Sequence, residues 1–130
     1  MINTNIYNYI NVLDKAADAA NTRNEIISNN IANVDTPHYK RKDVSFQNYL
    51  EHALIGDDPL DQRVKDINTH LSDFGGIIYT DSSTLSYRLD GNNVDIDTEN
   101  SMLAQNQIRY NALIEQINQE FARYKTVLSS

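Results

Sequence analysis

The chain has 130 residues, enough for one modest domain, and carries a formal net charge of -7 at pH 7. This charge argues against nucleic acid or an anionic membrane surface as the main partner, because both repel a net anion. No cysteine is present, which excludes disulfides and thiolate metal sites and fits either a reducing compartment or export without crosslinks. The sequence also lacks the basic and apolar regions of a cleavable secretory signal, and it has no apolar run long enough to span a bilayer.

Residues 1–35 predict a long N-terminal helix. Apolar residues recur there at the alternating spacing of a coiled-coil seam, meaning the stripe along which two helices contact, with Asn24 as its polar member. The seam consists of Ile6, Ile10, Leu13, Ala17, Ala20, Asn24, Ile27, Ile31 and Val34. The many asparagines have weak helix preference, so we expect packing to supply much of the stability.

A second apolar strip lies beside this seam on the same predicted helix. It consists of Val12, Ala16, Ala19, Ile26 and Ala32. The strip indicates either a seam wider than two positions per heptad or a surface that meets neighbouring subunits, and the pattern alone leaves both open.

Residues 36–94 form the predicted central segment. Pro37 stops the first helix, and Tyr39 is followed by Lys40, Arg41 and Lys42, which indicate either a solvated helix exit or a local contact with an acidic partner. A short helix is predicted over residues 45–56. After an acidic turn at residues 57–61, a weakly amphipathic stretch up to residue 71 fits a helix or a loop equally. Residues 77–79 and 85–89 predict a small β-hairpin.

Residues 95–130 predict a long C-terminal helix, with carboxylates at Asp95, Asp97 and Glu99 near its first turn, where they cap free amides. Its apolar residues form a second seam of similar length. This seam consists of Leu103, Tyr110, Ile114, Ile117, Phe121, Tyr124 and Leu128.

The two seams predict antiparallel pairing of the chain's two ends. With Ile6 near Leu128, Asn24 lies opposite residues 106–111, where the second seam is also polar, and small Ala17 and Ala20 face Ile117 and Ile114. The predicted fold is therefore mainly α, a single domain over residues 1–130 with long terminal helices paired as an antiparallel coiled coil, and a short helix and small β-hairpin between them.

Catalytic and metal-binding patterns are missing from the sequence. The acidic residues 90–99 fail the ligand spacing of a calcium loop in either frame, and His38, His52 and His70 are widely separated. There is no nucleophile elbow and no phosphate-binding glycine loop. We therefore expect no enzyme activity, no cofactor, no metal and no small-molecule substrate.

Two segments resemble a known family. Residues 28–40 (SNNIANVDTPHYK) resemble the N-terminal signature of bacterial flagellar rod and hook proteins, and residues 91–95 (GNNVD), with 104–110 (AQNQIRY), are similar to the C-terminal part of small rod proteins of that family. The family commonly has glycine at the position of His38. The motif residues are Asn30, Ile31, Ala32, Asn33, Thr36, Pro37, Tyr39, Gly91, Asn92, Asn93, Val94 and Asp95.

This resemblance implies a structural subunit of the proximal rod of the flagellar basal body, needed for flagellum assembly and motility. It implies export across the cytoplasmic membrane by the flagellar type III apparatus without a cleaved signal peptide, and polymerisation through the terminal helices. The implied partners are copies of the chain, neighbouring rod proteins, and basal-body adaptor and export-gate proteins. The alternatives are another type of small rod protein, or an acidic coiled-coil export chaperone or adaptor.

Overall fold

The protein is described by a computed structural model that covers residues 4–47, 50, 58–70, 78–81 and 89–129. The elements are helix α1 (Thr4–Ala32), strand β1 (Lys42–Val44), helix α2 (Leu60–Thr69), strand β2 (Ile78–Thr80) and helix α3 (Ile96–Ser129). The long helices α1 and α3 pack against each other antiparallel, and the central elements lie beside α1. The prediction of a mainly helical fold with paired terminal helices is confirmed.

The predicted seam of α1 lies in the interior. Ile10, Ala17, Ala20 and Ile27 are buried, while the side chain of Ile6 lies outside the described residues. The remaining members, Leu13, Asn24, Ile31 and Val34, are half-buried. The small alanines leave room for close approach of the neighbouring elements, as knobs-into-holes packing requires.

The polar members of the two helices meet. The Asn24 amide nitrogen donates to Gln107 Oε1 at 3.1 Å, and Asn106 donates to Asn24 Oδ1 at 2.8 Å. Asn24 therefore lies opposite the polar part of α3, as the antiparallel register predicts. Towards the other end, the Tyr7 hydroxyl donates to the Tyr124 hydroxyl at 2.5 Å. With Ile6 opposite Leu128, the predicted register places Tyr7 opposite Val127 and Asn24 opposite Tyr110, so the pairing as a whole is shifted by about one helical turn.

The inward face of α3 differs from the predicted seam. Leu103, Tyr110, Ile117 and Tyr124 are half-buried as members of the inner face, but Ile114 is 37% exposed, and Phe121 and Leu128 are 50% and 55% exposed. The residues that face inward recur at steps of four and three and include polar members. They are Glu99, Leu103, Asn106, Tyr110, Leu113, Ile117, Glu120 and Tyr124.

The rotation of α3 explains this correction. Glu99 and Asn106 are each 1% exposed, and both form hydrogen bonds with α1. These bonds turn the helix so that Leu113, and not Ile114, packs against Ala16 and Ala19. The predicted seam was wrong at Ile114, Phe121 and Leu128 because hydrophobicity alone selected it, whereas hydrogen bonds set the helix rotation.

The central segment covers part of the second strip of α1. Val12 packs with Val64 and Ile67 of α2, and the Tyr9 hydroxyl donates to Asp61 at 2.9 Å. Residues 60–69 are thus helical, the outcome that the sequence had left open. Phe46 packs on Ala16 and Ala19, while Ile26 stays half-buried and Ala32 exposed. The strip serves mostly as a wider intramolecular face and not as a free subunit surface.

A two-stranded antiparallel sheet is present, with a pairing that the sequence did not predict. β2 pairs with β1, with Asp43 opposite Tyr79. The predicted partner at residues 85–88 lies outside the described residues, and Leu89 lies in a turn. Of the predicted short helix, Phe46, Gln47 and Leu50 are helical, and residues 48–49 and 51–57 also lie outside.

Candidate functional site

The two signature segments meet where α1 ends and α3 begins, and we call this region the junction (residues 30–43 and 90–99). Asn30 is fully buried at its centre. Its amide nitrogen donates to the Lys42 carbonyl at 2.7 Å and to Glu99 Oε2 at 3.1 Å, while its oxygen accepts from the Tyr39 hydroxyl and the Lys42 amide. Every hydrogen-bonding group of this side chain is used, which fixes β1 against both helices.

Arg41 forms the charged part of the junction and is only 8% exposed. Its guanidinium donates to Glu99 at 2.5 Å, to Asp81 at 2.7 Å and to Asp43 at 3.2 Å. Burial works against its charge, but the hydrogen bonds to Glu99 and Asp81 prevail and raise its pKa above the ordinary value. Arg41 is therefore a permanently charged buried group, and the predicted solvated helix exit is wrong at this position.

Asp43 is the second charged group held inside the junction. Burial alone would raise the pKa of its carboxyl, but hydrogen bonds from Arg23 and from the Val44 amide outweigh it and hold the pKa below the ordinary value. Glu99 likewise is not a surface carboxylate near a helix end, as predicted, but a buried acceptor. The predicted capping role belongs to Asp95, whose carboxylate accepts from the Asp97 and Thr98 amides.

A pH prediction follows from the Asp43 pKa. Because the folded state holds this carboxyl ionised more strongly than the unfolded state does, its contribution to stability is full at neutral pH and is lost as the pH falls below its ordinary value of 3.8. We expect Asp43→Asn to be less stable at neutral pH and to lose less stability on acidification to about pH 3. Urea unfolding at both pH values measures this. The exposed Asp18→Asn is the control, and equal acid sensitivity of the two variants would contradict the prediction.

Asn92 connects the second signature segment to the end of α1. It is fully buried, and its amide nitrogen donates to the carbonyls of Asn33, Val34 and Thr36 at 2.8, 3.0 and 2.8 Å. Its oxygen accepts from the Val94 amide at 2.8 Å. One side chain thus joins the second signature segment to three successive carbonyls of the turn beyond the helix end.

Further contacts join the same two segments. Asn93 accepts from the Arg41 backbone amide at 2.7 Å and donates to the Asp81 carbonyl at 2.7 Å. Lys40 donates from Nζ to the Gly91 carbonyl, so Lys40 also serves the junction. Lys42 is the exposed member of the three basic residues 40–42, and its backbone begins strand β1.

His38 adopts a left-handed backbone conformation with φ of 61°, and its amide donates to the Asp90 carbonyl at 2.7 Å. The turn that glycine permits in the family is therefore retained with a residue for which this conformation is strained.

We expect His38→Gly to raise the free energy of unfolding by about 1 kcal/mol, since released strain exceeds the added entropy of the unfolded chain. Urea unfolding measures it.

Gly91→Ala is a second change at the same turn, and it should have the opposite effect on stability. Gly91 has φ of 75°, and an added Cβ would lie 2.8 Å from His38 Nδ1, so this variant should lose stability. A His38→Gly variant less stable than the wild type would contradict the strain at this turn.

The second half of α3 carries an exposed apolar surface, which we call the α3 stripe (Ile114, Phe121 and Leu128, with Asn118 between the first two). Its apolar members are 37%, 50% and 55% exposed. They are spaced by seven residues, so they lie along one line of the helix. Large apolar side chains aligned on the exposed face of a helix are typical of a protein–protein contact.

The described residues of the junction form contacts with one another. Within the described ranges no group of His, Asp and Glu side chains is placed to hold a metal ion. The buried charges of the junction are paired with one another, and no described helix combines the length and apolar character needed to cross a bilayer. The site is a structural connection beside an exposed surface.

Comparison with known proteins identifies the family. A family model described as flagella basal body rod protein matches residues 10–40. The chain is 44% identical over 119 residues to flagellar basal body rod protein FlgB of Bacillus subtilis, covering 90% of each chain. The chain belongs to the FlgB family. FlgB of Borreliella burgdorferi is 40% identical over 74% of this chain and 77% of its own, and FlgB of Proteus mirabilis is 32% identical over 88% of each.

FlgB-family membership confirms the resemblance read from the two signature segments and favours FlgB over another small rod protein. The structure brings those segments together: Asn30, Tyr39, Asn92 and Asn93 contact across the junction. Other motif residues surround it, with Val94 buried, Ile31 and Asn33 half-buried, and Ala32, Thr36 and Pro37 exposed in the helix end and its turn. Sequence reasoning missed the roles of Arg23 and Asp43 and gave Glu99 a capping role in place of its buried contact with Arg41. The available signal was a charged residue on an otherwise apolar face.

Proposed function

We propose that this FlgB-family chain is a structural subunit of the proximal flagellar rod that polymerises through its terminal helices and is needed for flagellum assembly and motility. The observation that carries the proposal is the α3 stripe. Apolar area removed from water contributes about 25 cal/mol per Å². Ile114, Phe121 and Leu128 therefore favour contact with another subunit over exposure.

The junction supports the same proposal through its rigidity. Asn30, Arg41 and Asn92 fix the end of α1 against the start of α3, and the rest of α3 runs alongside α1 as far as the Tyr7–Tyr124 contact. A subunit whose base is fixed presents the α3 stripe in one orientation, which repeated identical contacts in a polymer require. No turnover chemistry is part of this mechanism.

Export and location belong to the proposal as well. The subunit leaves the cytoplasm through the flagellar type III apparatus without a cleaved signal peptide and enters the basal body. The asparagine-rich α1 has weak intrinsic helix preference, which suits a chain that travels unfolded and orders on assembly. Its partners are copies of itself, neighbouring rod proteins, and adaptor and export-gate proteins, and it needs neither nucleic acid nor a small-molecule substrate.

Complementation of a gene deletion tests this function. A Phe121→Asp variant should leave cells non-motile, with basal rings but no rod, because a charge replaces an apolar contact of the α3 stripe. Gln116→Asp, on another exposed face of α3, is the matched control and should restore swimming. Normal motility with Phe121→Asp would contradict the proposal. If the chain were an export chaperone, the rod of purified basal bodies would not contain it.

A further inference from the structure

Met102 of α3 is half-buried and contacts the guanidinium groups of Arg23 and Arg41. Its sulfur atom accepts from Arg23 Nη2 at 3.7 Å and from Arg41 Nη2 at 3.9 Å. The same two nitrogen atoms donate to Asp43 Oδ2, each at 3.2 Å. Each nitrogen therefore has one strong acceptor, the carboxylate oxygen, and one weak acceptor, the thioether sulfur.

The charges around Met102 favour a neutral acceptor at this position. Two guanidinium groups donate to its sulfur, and three carboxylates are bonded to those guanidinium groups. The carboxylates are Asp43, Asp81 and Glu99. Because the carboxylates outnumber the guanidinium groups, a further negative charge beside them would be repelled. A neutral oxygen avoids that repulsion and accepts a stronger hydrogen bond than a thioether sulfur does.

Oxidation of the Met102 thioether supplies such an oxygen. A hydroperoxide transfers one oxygen atom to the sulfur: the S–O bond forms as the O–O bond breaks, the sulfur loses two electrons, and hydrogen peroxide is reduced to water. The product is a neutral sulfoxide. In an apolar interior its oxygen would lack a donor and disrupt packing, whereas two N–H donors already contact the sulfur of Met102.

We propose that Met102 is an oxidation site and that Arg23 and Arg41 hold the oxygen of its sulfoxide, so that the junction keeps its structure when the chain is oxidised. The chain has no cysteine, and Met102 carries the only sulfur atom among the residues that the structure describes. In that part of the chain a hydroperoxide has no other sulfur to oxidise. This inference concerns the response to oxidants and goes beyond the proposed rod function.

Treatment of the full-length protein with hydrogen peroxide tests the site. Peptide mass spectrometry locates the added oxygen, and urea unfolding is followed by circular dichroism before and after treatment. We expect one oxygen on Met102 of the folded protein and a folding equilibrium constant that falls by less than about threefold. Met102→Leu is the matched control, since it reports the effect of oxidising Met1. An unoxidised Met102 in the folded protein, or a larger fall after its oxidation, would overturn the proposal.

Arg23→Ala shows whether the sulfoxide oxygen is held. The variant removes one of the two donors, and comparison of its own reduced and oxidised forms cancels the loss of the Arg23–Asp43 contact. We expect oxidation to lower the folding equilibrium constant of Arg23→Ala about tenfold, because the sulfoxide oxygen then lacks one charged partner. The same effect of oxidation in Arg23→Ala and in the unsubstituted protein would overturn the proposal.

Met102→Gln provides a second test that needs no oxidant and leaves both arginines in place. Glutamine brings a neutral side-chain oxygen to this position, whereas Met102→Leu keeps the apolar bulk without an acceptor. We expect the glutamine variant to have a folding equilibrium constant about threefold larger than the leucine variant, although a half-buried helix position otherwise favours leucine. A constant for Met102→Leu that equals or exceeds that of Met102→Gln would contradict the proposal.

Discussion

Replacing Arg41 with alanine should lower the free energy of unfolding by about 3–5 kcal/mol. The change removes the cation that Glu99, Asp81 and Asp43 share, and Glu99 is 1% exposed with no access to water as a substitute. Leaving a buried carboxylate unpaired costs far more free energy than an exposed ion pair contributes to stability. Urea unfolding followed by circular dichroism at neutral pH measures the loss.

Lys42→Ala is the control for Arg41→Ala. Lys42 is the neighbouring base but its side chain is exposed, so its removal should change stability by less than about 0.5 kcal/mol. The double variant Arg41→Ala with Glu99→Ala completes a cycle and should recover part of the loss, because it removes both partners of the ion pair. Equal small effects for Arg41→Ala and Lys42→Ala would contradict a buried charged junction.

Replacing Asn92 with alanine should cost about 2–3 kcal/mol. The substitution removes the donor shared by the carbonyls of Asn33, Val34 and Thr36 and leaves the buried Val94 amide without the Asn92 oxygen. Asn92→Asp should be no better, since a carboxylate keeps the acceptor but cannot donate to the carbonyls. Urea unfolding gives the magnitude, and amide exchange at residues 29–36 should rise.

Asn100→Ala provides the matched control for Asn92→Ala, because Asn100 is exposed within α3. There the loss of asparagine should leave stability unchanged or slightly higher, since alanine has the stronger helix preference. A similar result for the two asparagines would mean that Asn92 does not connect the signature segments.

The sequence predicts the helices of this fold better than their rotation. The seam of α1 is visible because Ile10, Ala17 and Ile27 are apolar at the expected spacing. The inner face of α3 is not visible, because Glu99 and Asn106 are polar and yet buried. A hydrophobic pattern cannot anticipate a helix face that is set by hydrogen bonds.

The junction was only partly predictable for a similar reason. The resemblance marks Asn30 and Asn92 as motif residues, but it does not state what they contact. Arg41 and Glu99 are 58 residues apart in the chain, and no local pattern connects such a pair. The β1–β2 pairing joins residues 42–44 to residues 78–80, which are too far apart in the chain for local strand signals to connect.

The central claim is that the junction orders one end of the helix pair within a single chain, whereas the α3 stripe needs a neighbouring subunit. Amide hydrogen exchange on dilute monomer tests this most directly. We expect protected amides at residues 24–31 and 99–106, rapid exchange at residues 125–129, which follow the Tyr7–Tyr124 contact, and protection of those last residues once subunits associate. Residues 125–129 as strongly protected in the lone monomer as residues 99–106 would contradict this claim.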